Sequence, residues 1–211
     1  MDPRKTQDAL LAAILPDVPF DGWSDAALRK AAARVGLNPA QAASLCPGGG
    51  RDLVAWFSHW ADRETMQALD SMALGAMKVR ERVATGVRTR LGILEPHREA
   101  VRRALALLSA PQNLALGARL LYDAVDAIWY AAGDTATDFN FYTKRGLLAG
   151  VYAATTLYWL DDRSPGTSET HAFLDRRLRE IMAIPKATAR LKEWASRLPD
   201  PFMLARLARR R

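Results

Sequence analysis

The chain has 211 residues, of which 49% are hydrophobic and 25% charged, and this balance excludes a disordered or fibrous protein. Its single cysteine, Cys46, excludes an internal disulfide framework and any multi-cysteine metal site. The net charge of +7 is uneven, because residues 1–60 are neutral overall while residues 176–211 carry eleven basic and three acidic groups. Attraction to phosphates is therefore expected at the C-terminal end.

Apolar residues recur at spacings of three and four along almost the whole chain, a pattern typical of amphipathic helices. Ser24 and Asn38 are favourable N-cap residues, and Pro39 suits the first helical position after Asn38. Nine or ten helices and a short last segment are predicted over residues 6–15, 24–35, 38–45, 52–72, 77–94, 97–109, 114–132, 138–160, 168–184, 186–198 and 202–211. The predicted fold class is an all-α helical bundle.

Three short helices followed by longer ones are the order found in bacterial TetR-like regulators. Residues 23–61 resemble the helix-turn-helix head of those proteins, with a turn at Gly36 and a break before a fourth helix that opens at Asp52. The predicted organisation is a head over residues 1–61, a body over 62–198 and a basic amphipathic segment over 199–211.

The predicted head lacks the side chains that DNA binding requires. A recognition helix needs groups that reach base edges, with Lys or Arg nearby for phosphates. Residues 36–50 contain no Lys, Arg or Tyr, and the head as a whole is neutral, so the main source of nucleic-acid affinity is missing. The helix-turn-helix is therefore interpreted as degenerate, with no nucleic-acid partner.

The sequence shows no constellation typical of catalysis. No two of His59, His97 and His171 have a helical spacing of three or four, and the Glu-x-x-His pairs of a di-iron bundle are absent. No phosphate-binding glycine loop is present, and Cys46 reads as a small buried residue. The prediction is a protein that is not an enzyme, with no metal and no cofactor.

The most informative stretch is residues 138–145, Asp-Phe-Asn-Phe-Tyr-Thr-Lys-Arg, which crowds aromatic, amide and basic side chains into the first turns of a predicted helix. Such side chains are typical of protein interfaces. Further along, Gly146, Gly150 and Ala154 recur every four residues, so one face of this helix permits close approach of another helix.

This stretch, with Leu148, Tyr152 and Thr155, resembles the family of the ninth protein of coenzyme Q biosynthesis, in its bacterial form. The turn at residues 161–165 and the helix at 170–177 look like the same family, as do Gly22-Trp23-Ser24 and the Pro-Gly-Gly-Gly break at 47–50. The resemblance covers residues 22–182.

The resemblance implies a TetR-like fold that does not serve DNA, with an enlarged apolar interior that binds a lipid or an isoprenoid quinone. It also implies a partner, the di-iron demethoxyubiquinone hydroxylase, to which the protein presents substrate at the membrane surface. The family's partner-binding patch lies on the seventh helix of its TetR-like core. It maps here onto Asp138, Asn140, Phe141, Tyr142, Lys144 and Arg145. Phe141 stands where the family often has tryptophan, and the smaller ring loses contact area and an indole donor.

Large apolar residues of the body helices are the candidates to line the implied lipid cavity. They are Trp56, Phe57, Trp60, Leu121, Val125, Trp129, Tyr152 and Trp159. Periodicity does not distinguish a packed core from a hollow one, so a cavity at these residues is what the resemblance implies.

The last segment combines apolar and basic side chains, a composition that suits a membrane surface. The predicted membrane-contact residues are Phe202, Met203, Leu204, Arg206, Leu207, Arg209, Arg210 and Arg211. A helix that folds back onto the body is the alternative. No apolar run reaches the roughly 20 residues of a membrane span, so the expected location is cytoplasmic, peripheral on the inner membrane. A homodimer is expected by analogy with TetR-like bodies.

Three functional hypotheses follow from the sequence. The first is a lipid- or quinone-binding accessory protein of ubiquinone biosynthesis. The alternative is a ligand-responsive TetR-like transcription regulator, which predicts sequence-specific DNA retention. The third is an enzyme of another kind, which predicts metal in the purified protein and has little support in the sequence.

Overall fold

The computed structural model describes residues 3–133 and 139–181, with the side chains of Pro3 and residues 139–141 excepted. Within these ranges the regular elements are helices, with no strand, which confirms the predicted all-α class. The α-helices are α1 (Pro3–Ile14), α2 (Val18–Asp21), α3 (Asp25–Arg34), α4 (Pro39–Leu45), α5 (Gly50–Asp70), α6 (Val79–Leu94), α7 (Arg98–Leu108), α8 (Leu114–Ala131), α9 (Phe139–Asp161) and α10 (168–181).

Side-chain caps fix the start of the two helices of the helix-turn-helix. The Oγ of Ser24 accepts a hydrogen bond from the amide of Ala27 at 3.2 Å. Asn38 and Gln41 form a reciprocal capping box at the start of α4. Between these helices Gly36 has a φ of +72°, a left-handed conformation that favours glycine and ends α3. Both predicted N-caps are therefore confirmed.

The core is continuous from the head into the body. Helix α5 packs against α6 and α8, and α8 packs in turn against α9. The indole of Trp23 joins the head to α7 by donating a hydrogen bond to the carbonyl of Ala100 at 3.0 Å. The boundary expected between residues 61 and 62 falls inside α5, so head and body share this helix.

No helix in the described ranges combines the length and apolarity needed to cross a bilayer. The predicted helix 186–198 and the segment 199–211, with its membrane-contact residues, lie outside the described residues.

Candidate functional site

The body contains a largely apolar cavity of about 400 Å³ enclosed by α5, α6, α7, α8 and α9. Its walls are formed by Val54, Phe57, Ser58, Arg90, Leu94, Val101, Ala104, Leu105, Leu108, Ser109, Gly117, Leu120, Leu121, Ala124, Tyr152, Ala153, Thr156 and Leu157. This volume lies near the small end of the range for ligand pockets in proteins, which is about 300–1,000 Å³. The body is therefore hollow enough to receive a small apolar molecule or one end of a larger one.

The space between the helices exists because small residues line it at helical spacing. Ala104 on α7, Gly117 and Ala124 on α8 and Ala153 on α9 all line the cavity, and none of them projects a large side chain into it. Leu157 also lines the cavity, yet it is 60% exposed. The cavity therefore reaches the surface beside the C-terminal half of α9.

One wall of the cavity is polar and centres on Arg90, a side chain of α6 that is 3% exposed. Its Nε donates to the hydroxyl of Tyr152 at 2.7 Å, one Nη donates to Asp62, and the other donates to Oγ of Ser58 at 3.2 Å. Burial acts to lower the pKa of Arg90, but the neighbouring Tyr152 and Asp62 outweigh it and raise the pKa. The guanidinium is therefore a fixed cation whose charge is balanced by Asp62.

Three of the eight predicted lining residues lie at the cavity, namely Phe57, Leu121 and Tyr152. The other five pack elsewhere, so they are not part of its wall: Trp56, Trp60, Val125, Trp129 and Trp159.

Hydrogen bonds and ring contacts explain where the indoles lie. The indole of Trp159 donates to Glu95 at 2.7 Å and lies under Arg98, and that of Trp129 donates to the carbonyl of Lys144 at 3.3 Å. Trp60 stacks on Phe57 with ring centroids 5.9 Å apart. An indole N–H needs a polar partner when it is buried, and such partners are scarce in an apolar cavity.

The sequence pattern does not indicate that Arg90 or the small residues line a cavity. An arginine four residues before Leu94 reads as a surface charge on an amphipathic helix. Alanine and glycine at helical spacing are equally typical of tight packing, so no sequence signal separates a void from a contact.

The residues predicted to bind a partner do not share one surface. Tyr142 is 68% exposed, whereas Arg145 is 4% exposed and its Nε donates to Asp126 on α8 at 2.5 Å. Lys144 is half-buried, with its Nζ 5.6 Å from the ring centroid of Trp129. Arg145 therefore joins α9 to α8 instead of facing solvent, which corrects its place in the predicted patch.

The other three patch residues have no described side chains. Asp138 lies outside the described residues, and Asn140 and Phe141 belong to the first turn of α9 without a described side chain. Tyr142 is therefore the predicted contact whose exposure the structure supports.

The predicted patch and the cavity opening lie at opposite ends of α9. Tyr142 is in its first turns and Leu157 in its last ones. At 1.5 Å per residue the two positions are about 22 Å apart along the helix axis. A molecule in the cavity is therefore not directly beneath Tyr142.

Cys46 and His97 are parts of the packing. Cys46 is buried, and burial together with the nearby charge of Asp52 raises the pKa of its thiol to about 12. His97 packs edge-on against Trp60, with ring centroids 5.7 Å apart, and burial lowers its pKa. In the part of the chain that the structure describes, no three His, Cys, Asp or Glu side chains are grouped to hold a metal ion.

In the helix-turn-helix, Lys30 and Arg34 of α3 form ion pairs inside the head. Lys30 contacts Asp21 at 2.7 Å, and Arg34 contacts Asp17 at 2.7 Å. Helix α4 itself has no basic residue.

The fold and the cavity together define an all-α protein of TetR-like architecture with an apolar interior site. The structure matches a TetR transcriptional regulator from Nitrosomonas europaea with a TM-score of 0.70 over 84% of this chain and 98% of that one, at 17% identity. That likeness concerns the fold alone.

The sequence places the chain in a particular family. The COQ9 family model matches residues 114–185, which include α8 and α9. The rat mitochondrial ubiquinone biosynthesis protein COQ9 is 34% identical over 207 residues, 95% of this chain and 66% of the relative. The human protein is 33% identical over 95% of this chain and 65% of the relative, and the Drosophila melanogaster protein 32% over 83% and 55%. The chain belongs to the COQ9 family, and it spans about two thirds of the length of its mammalian relatives.

Proposed function

We propose that this chain is an accessory protein of ubiquinone biosynthesis that binds a lipid or isoprenoid quinone and presents it to the demethoxyubiquinone hydroxylase at the membrane surface. The cavity between α5 and α9 is the observation that carries this proposal. Membership of the COQ9 family supports a role in this pathway, because the relatives of the chain are ubiquinone biosynthesis proteins by name.

The proposed role is non-enzymatic, with the cargo as the only ligand. The polar side chains at the cavity centre on Arg90, and its walls otherwise consist mainly of apolar groups. Such a surface favours reversible binding, because apolar burial contributes about 25 cal/mol per Å² and forms no covalent bond with the ligand.

The cavity size limits how much of the cargo is enclosed. About 400 Å³ accommodates a small ligand, or a ring and the first part of its chain. The remainder of a long isoprenoid chain therefore lies outside, beyond the opening at Leu157. Contact with a membrane surface at the basic residues 176–211 would cover such a chain.

The experiment that tests the proposal replaces a small residue of the cavity wall by a larger one, which fills part of the cavity. Ala153 lines the cavity, whereas its neighbour Ala154, also half-buried, does not. We expect Ala153→Phe to weaken binding of a decyl-substituted benzoquinone taken up from neutral vesicles by about tenfold or more, because an overpacked site costs on the order of 1–3 kcal/mol.

Ala154→Phe is the matched control, and we expect it to bind the quinone like the unaltered protein. Binding is measured by quinone recovery after gel filtration and by native mass spectrometry, with thermal unfolding to show that both variants fold. Equal uptake by all three proteins, or no uptake by any of them, contradicts the proposal.

A further inference from the structure

We infer that the polar wall of the cavity is a recognition site for a neutral hydrogen-bond acceptor, and that Tyr152 is the residue that selects it. This inference rests on the proposed function and adds the chemistry and the orientation of the cargo. The cargo enters with its oxygen-bearing end toward Arg90 and leaves its apolar chain toward Leu157.

The hydroxyl of Tyr152 has a proton without an acceptor. Its oxygen accepts the hydrogen bond from Nε of Arg90 at 2.7 Å. For its own O–H, no acceptor lies within hydrogen-bond distance among the described backbone and side-chain atoms, although Tyr152 is more than nine-tenths buried. A buried donor that is left unpaired costs free energy, and an acceptor on the cargo would recover it.

Three other hydroxyls line the cavity, and the half-buried Ser58 belongs to the Arg90 cluster because it accepts from Arg90. The other two are occupied within their own helices. The hydroxyl of Thr156 donates to the carbonyl of Tyr152 at 2.9 Å, and that of Ser109, at the rim, donates to the carbonyl of Ala106 at 2.8 Å. Thr156 and Ser109 are thus satisfied by their own helices. The polar groups that face the cavity are therefore concentrated around Arg90 and Tyr152, which gives the cavity one polar end.

The charge of this end favours a neutral ligand. Asp62 accepts from Arg90 and balances its charge, and His59 lies 3.7 Å from the same carboxylate. An anionic head group would be placed beside Asp62 without a free cation to compensate it, which is costly in an apolar interior. A carbonyl or ether oxygen accepts the Tyr152 proton without that cost, and both quinones and neutral lipid esters offer such oxygens.

The positions of Tyr152 and Leu157 on α9 give the orientation of the cargo. Tyr152 and Leu157 belong to the same helix, and Leu157 is about 7.5 Å further toward its C-terminal end. The exposed side chain of Leu157 and the half-buried Leu105 and Leu108 are the apolar rim. An apolar chain that starts from a head group at Tyr152 therefore leaves the cavity along leucine side chains.

The test compares three uncharged ligands with the same ten-carbon tail: a benzoquinone, a methyl ester and an arene without oxygen. We expect the quinone or the ester to bind the full chain about three- to tenfold more tightly than the arene, as one additional hydrogen bond would give. If the quinone binds more tightly than the ester, the favoured acceptor is a quinone carbonyl. If the ester binds more tightly, it is the oxygen of a lipid ester.

Tyr152→Phe removes the O–H and keeps the ring, but it also leaves Nε of Arg90 without its acceptor. The double variant of Tyr152→Phe with Arg90→Met therefore removes both donors of the polar end. We expect it to abolish the preference for oxygen-bearing ligands while the arene binds as before, whereas a purely structural defect would weaken all three equally. Tyr158→Phe is the matched control, because this tyrosine of α9 contacts Glu169 and is absent from the cavity wall. Retention of the preference in the folded double variant overturns the inference, while failure of all three ligands to bind the unaltered protein overturns the proposed function itself.

A second variant tests the charge argument independently. Asp62→Asn leaves Arg90 without its counter-charge, so we expect decanoate to bind this variant at least about tenfold more tightly than it binds the unaltered protein. Thermal unfolding with and without decanoate measures this even where the variant is destabilised, because a bound ligand raises the midpoint. Unchanged decanoate binding by folded Asp62→Asn contradicts the assignment of a neutral ligand.

Discussion

Asp162 connects α9 to α10 through its side chain. One carboxylate oxygen accepts from the amide of Ser164 at 2.8 Å, and the other accepts from the amide of Thr170 at 2.9 Å and from its hydroxyl at 2.5 Å. Burial acts to raise the pKa of this carboxyl, but the hydrogen bonds from Thr170 and Ser164 outweigh it, and the pKa is lowered well below the ordinary value.

Because this pKa is lower in the folded chain, the stabilising effect of Asp162 is present above about pH 4 and is lost as the pH falls through the folded pKa. We expect Asp162→Asn to reduce the free energy of unfolding at pH 7 by about 1.5–3 kcal/mol, which is the range for hydrogen bonds to a charged group. The difference in stability between Asp162→Asn and the unaltered protein should begin to shrink below about pH 4 and should continue to shrink as the pH falls toward the folded pKa. Denaturant unfolding across this pH range measures it.

Asp161→Asn is the neighbouring control. Asp161 is exposed and contacts Arg102 at 3.0 Å, and a surface ion pair contributes only about 0–1 kcal/mol. An equal loss in both variants would contradict the assigned role of Asp162.

At the scale of the helices, the contact between α6 and α8 depends on Gly86. A Cβ at this position would lie 2.9 Å from Cγ2 of Ile128, a stiff β-branched side chain that is fully buried. Gly92, on the same helix, has open space around its Cβ position.

Alanine substitution at the two glycines should therefore act in opposite directions. Gly92→Ala should stabilise the protein by about 0.5–1 kcal/mol through helix propensity. Gly86→Ala should be about 1–3 kcal/mol less stable than Gly92→Ala because Ile128 must shift. Chemical denaturation of both variants gives the comparison. Gly86→Ala as stable as Gly92→Ala would show that α6 and α8 do not approach this closely.

The helix pattern could be predicted because its determinants are local. Ser24, Asn38 and the proline breaks fix the ends of the helices, and the observed bounds agree with the predicted ones within about three residues. The sequence does not predict α2, because Val18–Asp21 is too short for a periodic pattern and contains Pro19. Tertiary contacts therefore stabilise this short helix, and its local sequence does not predict it.

The wall of the cavity could be predicted only in part because it depends on which face each helix turns inward. The stripe at Phe57 and Trp60 is a single helix face, yet Phe57 lines the cavity and Trp60 turns toward His97. Arg145 looked like a surface charge and is buried against Asp126. Side-chain pairs across helices decide such positions, and a sequence read one helix at a time does not contain them.

At the scale of the whole molecule, cargo binding and partner binding are assigned to opposite ends of α9. The cavity opens at Leu157, and the exposed Tyr142 lies about 22 Å away along the helix. Since the oxygen-bearing end of the cargo lies at Tyr152 in our assignment, the proposed transfer to a hydroxylase would require the cargo to leave the cavity. The two binding functions should therefore be separable by mutation.

We expect Tyr142→Ala to weaken binding of the purified hydroxylase by about tenfold, in line with the loss of an exposed aromatic contact at an interface. The same variant should take up the decyl benzoquinone normally. Ala153→Phe should show the converse, with normal hydroxylase binding and impaired uptake. Tyr122→Ala, which removes another exposed tyrosine on α8, should change neither quantity. Surface plasmon resonance and vesicle uptake measure the two activities, and loss of both in either single variant would show that the cavity and the patch act as one site.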